Sequence, residues 1–358
     1  MTFAFAAAGT GGHVYPALAV ADALVAGGVA VDDIVFFGGD RMESSTVPEA
    51  GFRFVQVPLQ GLSRSLSLRN LTIPGVVWKA AAQITAAMRQ ASTAVLTVFG
   101  GYVSVPAAIA GRRTGAAIFL HEQNAVPGLA NRMVARRAGR SFVAFPAAAE
   151  RLPRAEVVGN PLRPELAGFD RAALRGEARR RYDLPDDVTV LGVLGGSLGA
   201  GVLNDTTLRI ADGSDPQRVA IVHLTGAAHV ETVEGHARRS AVRWRTVAFE
   251  PEMQYFYAAA DLVLSRAGAM TISELAATGT PAVTVPLVEH QAANAAHLAS
   301  AGGVVIVPQD DIDRVPVEVE QLLIDDARRR RMAAANLSLA APDAALRMAV
   351  AIREVSDG

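Results

Sequence analysis

Two glycine-rich turns in matching positions of the two halves of the chain have the residue types and spacing of a ligand site. Residues 9–13 read Gly-Thr-Gly-Gly-His and follow the apolar run 2–8. Residues 195–200 read Gly-Gly-Ser-Leu-Gly-Ala and follow the apolar run 188–194. Glycine lets backbone N–H groups approach a ligand closely, and the N-terminus of the following helix favours negative charge. The pair predicts a ligand held in a cleft between two domains.

The side chains in the two turns suggest different chemistry. His13 could act as a general base, because the pKa of histidine lies near neutrality, or it could only cap the loop. Ser197 and its neighbouring amides could hold a phosphate, although a plain strand-to-helix turn or an NAD site would look similar. Neither turn continues into the Lys-Ser/Thr pair of a Walker A sequence, which argues against ATP-driven phosphoryl transfer.

An acidic residue follows another apolar run in the second half. Segment 265–274 comes after the run 262–264, and Gly268 permits a tight turn into a helix whose first turns contain Glu274. A carboxylate at that sheet edge could accept hydrogen bonds from a ribose diol. The alternative is ordinary complementation of the helix dipole.

Two further polar groups follow apolar runs. His290, Gln291 and Asn294 suit sugar hydroxyls, although a polar helix start would explain them equally well. His121 and Glu122 are potential metal ligands, but adjacent side chains diverge and no third ligand is evident. We expect neither a metal nor a cofactor.

The elements that must position these residues are short apolar runs alternating with helical patterns. This alternation predicts an α/β protein with parallel sheets covered on both faces, built as two Rossmann-like domains. We expect the domains at residues 1–160 and 161–340, with a closing helix in residues 341–358. The basic helical stretch 171–181 is expected to have a solvated face. The predicted strands are 2–8, 34–37, 54–57, 95–99, 117–120, 142–145, 188–194, 219–224, 243–247, 262–264, 282–285 and 304–307. The predicted helices of the first half are 16–26, 74–90, 105–113 and 128–137.

The amino-acid composition limits the classes of partner and chemistry that we expect. A formal net charge of −1 over 358 residues provides no general basic field, so nucleic acid is not expected. The chain has no cysteine, which excludes disulfides and thiolate chemistry. No run approaches the ~20 apolar residues of a membrane span. Segment 66–78, from Leu66 to Trp78, combines apolar residues with neighbouring cations, which suits an anionic membrane surface or, alternatively, an ordinary helix with a core face.

Taken together, the motifs resemble glycosyltransferase family 28, a family with the GT-B fold. The matching stretches occur in order through both halves, at residues 9–16, 100–104, 121–124, 158–163, 195–197, 249–253 and 265–274. The resemblance implies two Rossmann-like domains whose parallel sheets face each other across a cleft. It also implies inverting, metal-independent transfer of N-acetylglucosamine from UDP-N-acetylglucosamine (UDP-GlcNAc) to the muramyl 4-hydroxyl of lipid I, the undecaprenyl-pyrophosphoryl acceptor. The product is lipid II of peptidoglycan synthesis.

The resemblance also implies a place in the cell. Because lipid I is embedded in the inner leaflet, it implies peripheral attachment to an anionic surface at the cytoplasmic face of the cell membrane. Segment 66–78 is the candidate contact. Proteins of cell-wall synthesis and cell division are further implied partners.

Site residues carry over from the family at matching positions. His13 is the candidate base, and Tyr102 is expected on the acceptor side. The backbone of Glu250 would meet the uracil, Glu274 the ribose and Gln291 the sugar hydroxyls. The residues expected to contact the donor sugar or phosphates are Thr10, Gly11, Gly12, Asn124, Arg163 and Ser197. The residues expected to wrap the nucleoside are Ala269, Met270, Thr271, Ile272, Ser273 and Glu274.

Two departures from the family pattern concern the loops. The segment between Val285 and His290 is shorter than in most members, and Glu250 stands where an aliphatic residue is more common, a change that a backbone contact would survive. Three alternatives stay open. They are transfer to a soluble or natural-product acceptor, a UDP-sugar epimerase on the same fold, and a module that binds the sugar nucleotide without catalysis.

Overall fold

The computed structural model describes residues 1–58, 73–196 and 199–356. The chain forms two compact units, Met1–Arg163 with Pro342–Gly358, and Pro164–Ala341. The last stretch thus belongs with the first unit, an assignment that the sequence pattern leaves open. Ser197 and residues 66–72 of the segment predicted to contact a membrane lie outside the described residues.

The first unit contains a seven-stranded sheet in the order β3-β2-β1-β4-β5-β6-β7, with every neighbouring pair parallel. A short 3-10 helix, Val31–Asp33, leads into the second strand. The strands are β1 Thr2–Ala7, β2 Ile34–Gly38, β3 Arg53–Gln56, β4 Thr93–Gly100, β5 Ala117–Glu122, β6 Arg140–Val143 and β7 Ala155–Val157. The helices are α1 Gly11–Ala26, α2 Glu43–Glu49, α3 Ile73–Gln90, α4 Ser104–Thr114, α5 Leu129–Ala135 and α6 Pro146–Ala149.

The second unit contains a six-stranded parallel sheet in the order β10-β9-β8-β11-β12-β13. Its strands are β8 Thr189–Leu194, β9 Val219–Leu224, β10 Arg243–Val247, β11 Leu262–Ser265, β12 Ala282–Thr284 and β13 Val304–Ile306. Its helices are α7 Pro164–Ala167, α8 Arg171–Arg181, α9 Gly201–Gly213, α10 Val230–Ala237, α11 Met253–Ala259, α12 Ala269–Thr278, α13 Glu289–Ser300, α14 Val315–Ile324 and α15 Asp326–Leu337, with a 3-10 helix at Gln309–Arg314. The closing helix α16, Ala344–Ser356, returns to the first unit.

The first sheet is buried on both faces, as its unbroken apolar strands predict. In β1, Ala4 packs into the core on one face, whereas Phe3 and Phe5 pack into the core on the other. The helix α16 covers the phenylalanine face with Met348 and Ile352. Burial of both faces leaves the strand ends as the part of the sheet open to a ligand.

This architecture confirms the predicted α/β class with two Rossmann-like parallel sheets. Two of the differences from the prediction concern β7 and α1. The edge strand β7 was not predicted, because three residues including a glutamate carry no apolar run. Helix α1 begins at Gly11 rather than at residue 16, since the Thr10 carbonyl already accepts the N–H groups of His13 and Val14 at 3.0 and 3.2 Å. The glycines of the turn thus form the first helical turn.

The basic helix α8 has the predicted solvated face, formed by Ala172, Ala173, Gly176, Glu177, Arg180 and Arg181. Its other arginines, however, are bound to the second unit. Arg171 donates from Nη1 to the Tyr257 and Ala260 carbonyl oxygens at 2.6 and 2.7 Å. Arg175 pairs with Asp261 at 2.7 Å, and Arg179 is buried. Burial lowers the pKa of Arg171 to about 10. These arginines fasten α8 to strand and helix ends of the second unit, because backbone carbonyls, the Thr280 hydroxyl and the Asp261 carboxylate accept from their guanidinium groups.

Candidate active site

Each glycine turn lies at the switch point of its sheet. In the first unit the switch point is the neighbouring pair β1 and β4, and in the second it is β8 and β11. On the two sides of such a point, the connections leave in opposite directions, and ligands bind in the crevice at the carboxyl ends of the strands. Both turns therefore occupy places where topology favours a ligand.

His13 lies in the first turn of α1 with one ring nitrogen already bound. Nδ1 is 3.1 Å from the Ala8 carbonyl oxygen, which can only accept, so Nδ1 carries the proton of the neutral ring. Nε2 lies against Gly100, whose φ is +115° and where a Cβ would stand 2.8 Å from Nε2. Burial lowers the pKa of His13, opposed by the bond to Ala8 and the charge of Glu43. A neutral ring with an unprotonated Nε2 is the form that a general base requires.

The remaining residues of the first turn border a stack of side chains. Thr10 is exposed, and its hydroxyl lies 3.3 Å from His13 Nδ1. Gly11 lies against Tyr15, where a Cβ would stand 2.9 Å from the ring. The Arg163 guanidinium lies 5.1 Å from the centre of the same ring. Arg163 and the partly buried Gly12 are thus both close to the N-terminus of α1, as a site at this turn requires.

Glu43 is a site residue that the sequence analysis missed. Its carboxylate is fully buried and accepts hydrogen bonds from Gly9 N at 3.2 Å, Gly39 N at 3.0 Å and the Tyr102 hydroxyl at 2.9 Å. The donors follow strands β1, β2 and β4, so one side chain joins three strand ends. The rule that singled out Glu274, an acid at the start of a helix after an apolar strand, would also have found Glu43.

Tyr102 points its hydroxyl at Glu43. Burial, together with the hydrogen bond and the charge of Glu43, raises the pKa of Tyr102. The phenol therefore stays protonated and acts as a donor at neutral pH. Gly39 provides the space for it, since a Cβ there would collide with the hydroxyl.

At the end of β5, a second buried carboxylate orders a loop. Glu122 accepts from Asn124 N at 2.9 Å, Gly128 N at 3.1 Å and Asn131 Nδ2 at 2.9 Å. Burial raises the pKa of Glu122, and these hydrogen bonds act in the opposite direction. The arrangement fixes Asn124, which is predicted to contact the donor substrate, beside the end of the strand.

His121 and Glu122 diverge, as predicted for adjacent strand residues. His121 Nε2 donates to the Gly159 carbonyl oxygen at 3.0 Å, away from the Asn124 loop, and burial lowers the pKa of His121 to about 4. Within residues 1–58, 73–196 and 199–356, no three His, Asp or Glu side chains come close enough to hold a metal ion.

In the second unit, the glycine turn lies against a cation that the sequence analysis also missed. Gly196 has a φ of +86°, and a Cβ there would stand 2.6 Å from Arg266 Nη2. Arg266 follows β11, and its buried Nε has no acceptor among the described residues. Burial lowers its pKa, and no carboxylate in the described part of the chain pairs with it. The helix α9 begins at Gly201, so its N-terminal dipole adds positive potential at the same turn.

Glu274 is held by a buried tyrosine. The Tyr257 hydroxyl of α11 donates to Glu274 Oε2 at 2.7 Å. In α12, Ala269 and Ile272 are buried, so they support the helix from its core side. The other positions predicted to wrap the nucleoside, all partly buried, are Met270, Thr271, Ser273 and Glu274.

Gln291 and Asn294 join α13 to neighbouring loops. Gln291 Oε1 accepts from Leu287 N at 2.9 Å, and Asn294 Nδ2 donates to the Ala267 carbonyl oxygen at 3.3 Å. Asn294 thus supports the loop that contains Arg266. His290 is exposed. Among the predicted residues of the second unit, the turn at Gly196, Glu274 and Gln291 therefore lie at the same edge of the sheet.

Glycine turns at both switch points, with cationic and carboxylate groups at the strand ends, are features of a sugar-nucleotide-dependent glycosyltransferase with two Rossmann-like domains. Two family models match the chain, the glycosyltransferase family 28 N-terminal domain over residues 3–143 and the C-terminal domain over residues 190–348. The chain belongs to glycosyltransferase family 28.

Particular relatives sharpen this assignment. Proteins named UDP-N-acetylglucosamine--N-acetylmuramyl-(pentapeptide) pyrophosphoryl-undecaprenol N-acetylglucosamine transferase are similar over nearly the full length. The protein from Acidithiobacillus ferrooxidans is 40% identical over 99% of this chain and 97% of its own, and that from Clavibacter michiganensis is 39% identical over 98% and 96%. Among solved structures, MurG of Acinetobacter baumannii superposes with a TM-score of 0.78 at 27% identity, covering 99% of this chain and 100% of that one.

Proposed function

We propose that the protein transfers N-acetylglucosamine from UDP-GlcNAc to the muramyl 4-hydroxyl of lipid I. Relatives with the name of this transferase match at about 40% identity along nearly the whole chain. This similarity favours the lipid I acceptor over a soluble acceptor. It also favours transfer over epimerisation or mere binding, because the chain retains the residues that the resemblance assigns to both substrates.

The observation that supports the assignment of the donor is the difference in charge between the two turns. At Gly196 the guanidinium of Arg266 has no carboxylate partner among the described residues. Helix α9 begins shortly afterwards, at Gly201, so the positive end of its dipole lies at the same strand edge. At Gly9 the amide is already bound to the buried carboxylate of Glu43. A diphosphate is stabilised by the first environment and repelled by the second. We therefore assign the UDP group to the second unit.

The other donor contacts follow from this placement. Glu274, oriented by Tyr257, would accept hydrogen bonds from the ribose diol, while the backbone of Glu250 meets the uracil. Gln291 would bind sugar hydroxyls. Ser197 is assigned to the phosphates, and Ala269, Met270, Thr271, Ile272 and Ser273 are assigned to the nucleoside. The donor sugar is assigned to Thr10, Gly11, Gly12, Asn124 and Arg163.

The proposed chemistry is a single displacement with inversion at C1 of the sugar. The muramyl 4-oxygen forms a bond to C1 while the bond from C1 to the phosphate oxygen breaks, and UDP leaves with the electron pair. His13 Nε2 takes the proton of the attacking hydroxyl, because Nδ1 is held protonated by the Ala8 carbonyl. Arg266 offsets the charge that develops on the departing diphosphate. Tyr102 acts as a protonated donor on the acceptor side, with its position set by Glu43.

A basic and apolar surface of the first unit supports contact with a membrane. Trp78 is 62% exposed, and the Arg113 guanidinium lies 3.9 Å from the centre of its ring. Both line a surface cavity of about 360 Å³ together with Arg112, Arg137 and Met133. Amphipathic aromatic and cationic side chains suit the headgroup region of an anionic bilayer. We propose peripheral attachment through this surface at the cytoplasmic face of the cell membrane, where lipid I and proteins of cell-wall synthesis and division would be met.

No helix in the described ranges has both the length and the apolar character needed to cross a bilayer. Sedimentation with anionic and neutral vesicles tests the proposed peripheral attachment. We expect Trp78→Ala with Arg113→Ala to reduce sedimentation with anionic vesicles while the protein stays folded. Equal sedimentation of wild type and variant would contradict the proposed surface.

The decisive experiment measures transfer of labelled N-acetylglucosamine to a lipid I analogue, with and without EDTA. Acceptor-dependent product that is insensitive to chelation is the expected result. Donor turnover without acceptor would instead indicate an epimerase, and transfer only to soluble acceptors would indicate a different transferase. Tight UDP-GlcNAc binding without any turnover would indicate a binding module.

A further inference from the structure

The loop between β10 and α11 is fastened by a buried carboxylate. Glu250 is 5% exposed, and its Oε2 accepts from the Tyr182 hydroxyl at 2.6 Å. Oε1 accepts from Arg181 Nη2 at 3.0 Å and from Glu252 N at 2.9 Å. The two side-chain donors lie at the carboxyl end of α8, whereas Glu252 N belongs to the loop itself. One side chain thus fixes the loop both to itself and to a neighbouring helix.

The network continues around the loop. Arg181 Nη1 pairs with Glu252 Oε2 at 2.7 Å, and the same guanidinium lies 5.0 Å from the centre of the Tyr255 ring. Burial and the bond to Glu250 raise the pKa of Tyr182, so its hydroxyl remains a donor. The loop leads directly into α11, whose Tyr257 holds Glu274. The nucleoside site proposed above therefore borders a segment with little freedom to move.

A buried charge of this kind is costly unless hydrogen-bonded donors surround it. An aliphatic residue would pack there without such a requirement. The carboxylate therefore needs an explanation beyond filling the core. Ordering the loop backbone is what its three bonds do.

We infer that Glu250 is a specificity-determining residue, which fixes the backbone of the β10–α11 loop so that its amide groups accept uracil and reject cytosine. This inference rests on the proposed function, in which that backbone meets the base. Uracil presents an N–H donor at N3 beside an acceptor at O4, whereas cytosine presents an acceptor at N3 beside an amino donor. A fixed peptide leaves its own groups unpaired against cytosine, and a loosened peptide can turn to pair with either base.

The test compares binding of UDP and CDP by calorimetry. In Glu250→Ala, we expect UDP affinity to fall and CDP affinity to change less, so that the preference for UDP decreases by on the order of tenfold. The matched control is Glu252→Ala, which removes a carboxylate from the same loop and the same Arg181 but is 47% exposed. Its preference for UDP should equal that of the wild type.

Tyr182→Phe provides an independent variant, because it removes only the 2.6 Å bond and keeps the ring in place. We expect a smaller decrease in the preference for UDP over CDP than in Glu250→Ala. If Glu250→Ala does not fold, Tyr182→Phe becomes the test of the inference. An unchanged ratio in a folded Glu250→Ala, or in Tyr182→Phe when the former is unfolded, would overturn the inference. Wild type that binds UDP and CDP alike would instead count against the proposed nucleotide site.

Discussion

The two glycine turns share a topology but differ in charge. The turn after β1 is bound to a buried carboxylate, Glu43, through Gly9 N. The turn after β8 lies against the guanidinium of Arg266 at Gly196. Strand order alone would make both of them sites for an anion. The difference teaches that the side chain packed against a turn, and not its glycines, decides whether the turn can receive a phosphate.

The largest effect on kcat is expected at the turn after β1, where Glu43 occupies the Gly9 amide. His13→Ala should reduce kcat by about 10² to 10⁴-fold, because it removes the proposed base, and should leave UDP affinity near that of wild type. Since burial lowers the pKa of His13, the acid limb of the wild-type kcat/KM profile should lie below pH 6.5. The measurement is kcat and KM for labelled transfer across pH.

The control for this variant is His236→Ala, which removes an exposed histidine from α10. It should leave kcat unchanged. If His13→Ala raises KM for the donor with little change in kcat, the first turn binds the nucleotide and the division between the turns is wrong.

A smaller but still large effect is expected from Arg266→Ala. Loss of charge-assisted hydrogen bonds to the diphosphate should weaken UDP binding by roughly 10- to 100-fold, since such bonds contribute about 1.5–3 kcal/mol each. Arg266→Lys should retain part of the affinity, because it keeps the charge but not the planar fork. Calorimetric titration with UDP measures both variants. Wild-type affinity in Arg266→Ala would show that the cation beside Gly196 is structural.

Glu43→Gln tests the proposal that the carboxylate at the turn after β1 has a structural role and does not affect nucleotide binding. The amide must direct a donor at one of the groups that now donate to Glu43, so we expect a loss of about 1–3 kcal/mol in the free energy of unfolding. UDP affinity should not change, because this carboxylate belongs to the first turn. Urea denaturation and UDP titration provide the two readings, and Glu49→Gln, an exposed change on the same helix, is the control. Weaker UDP binding in folded Glu43→Gln would break the assignment.

The parts of the site that could be predicted from sequence are those that depend only on residues close together in the chain. The glycine turns, Glu274 and the alternation of strands and helices all depend on neighbouring residues. Glu43 contacts groups 34 and 59 residues away, so its role arises only when three strand ends meet. The bound arginines of α8 could not be told from its exposed ones for the same reason. Their acceptors are distant in sequence, such as the Tyr257 carbonyl, which is 86 residues from Arg171.

The smallest effect is expected one contact away from the substrate, at Tyr257→Phe. This change removes the 2.7 Å bond to Glu274 while the buried ring stays packed. A hydrogen bond to a charged carboxylate contributes about 1.5–3 kcal/mol, and only part of this loss reaches the ribose because Glu274 itself is retained. KM for UDP-GlcNAc should therefore rise roughly two- to tenfold with little change in kcat. Tyr255→Phe, on the same helix but bonded to Glu177, is the matched control. Because this effect acts only through the nucleoside contact proposed for Glu274, a drop in kcat without a change in KM would show that Glu274 serves the reaction step and not the ribose.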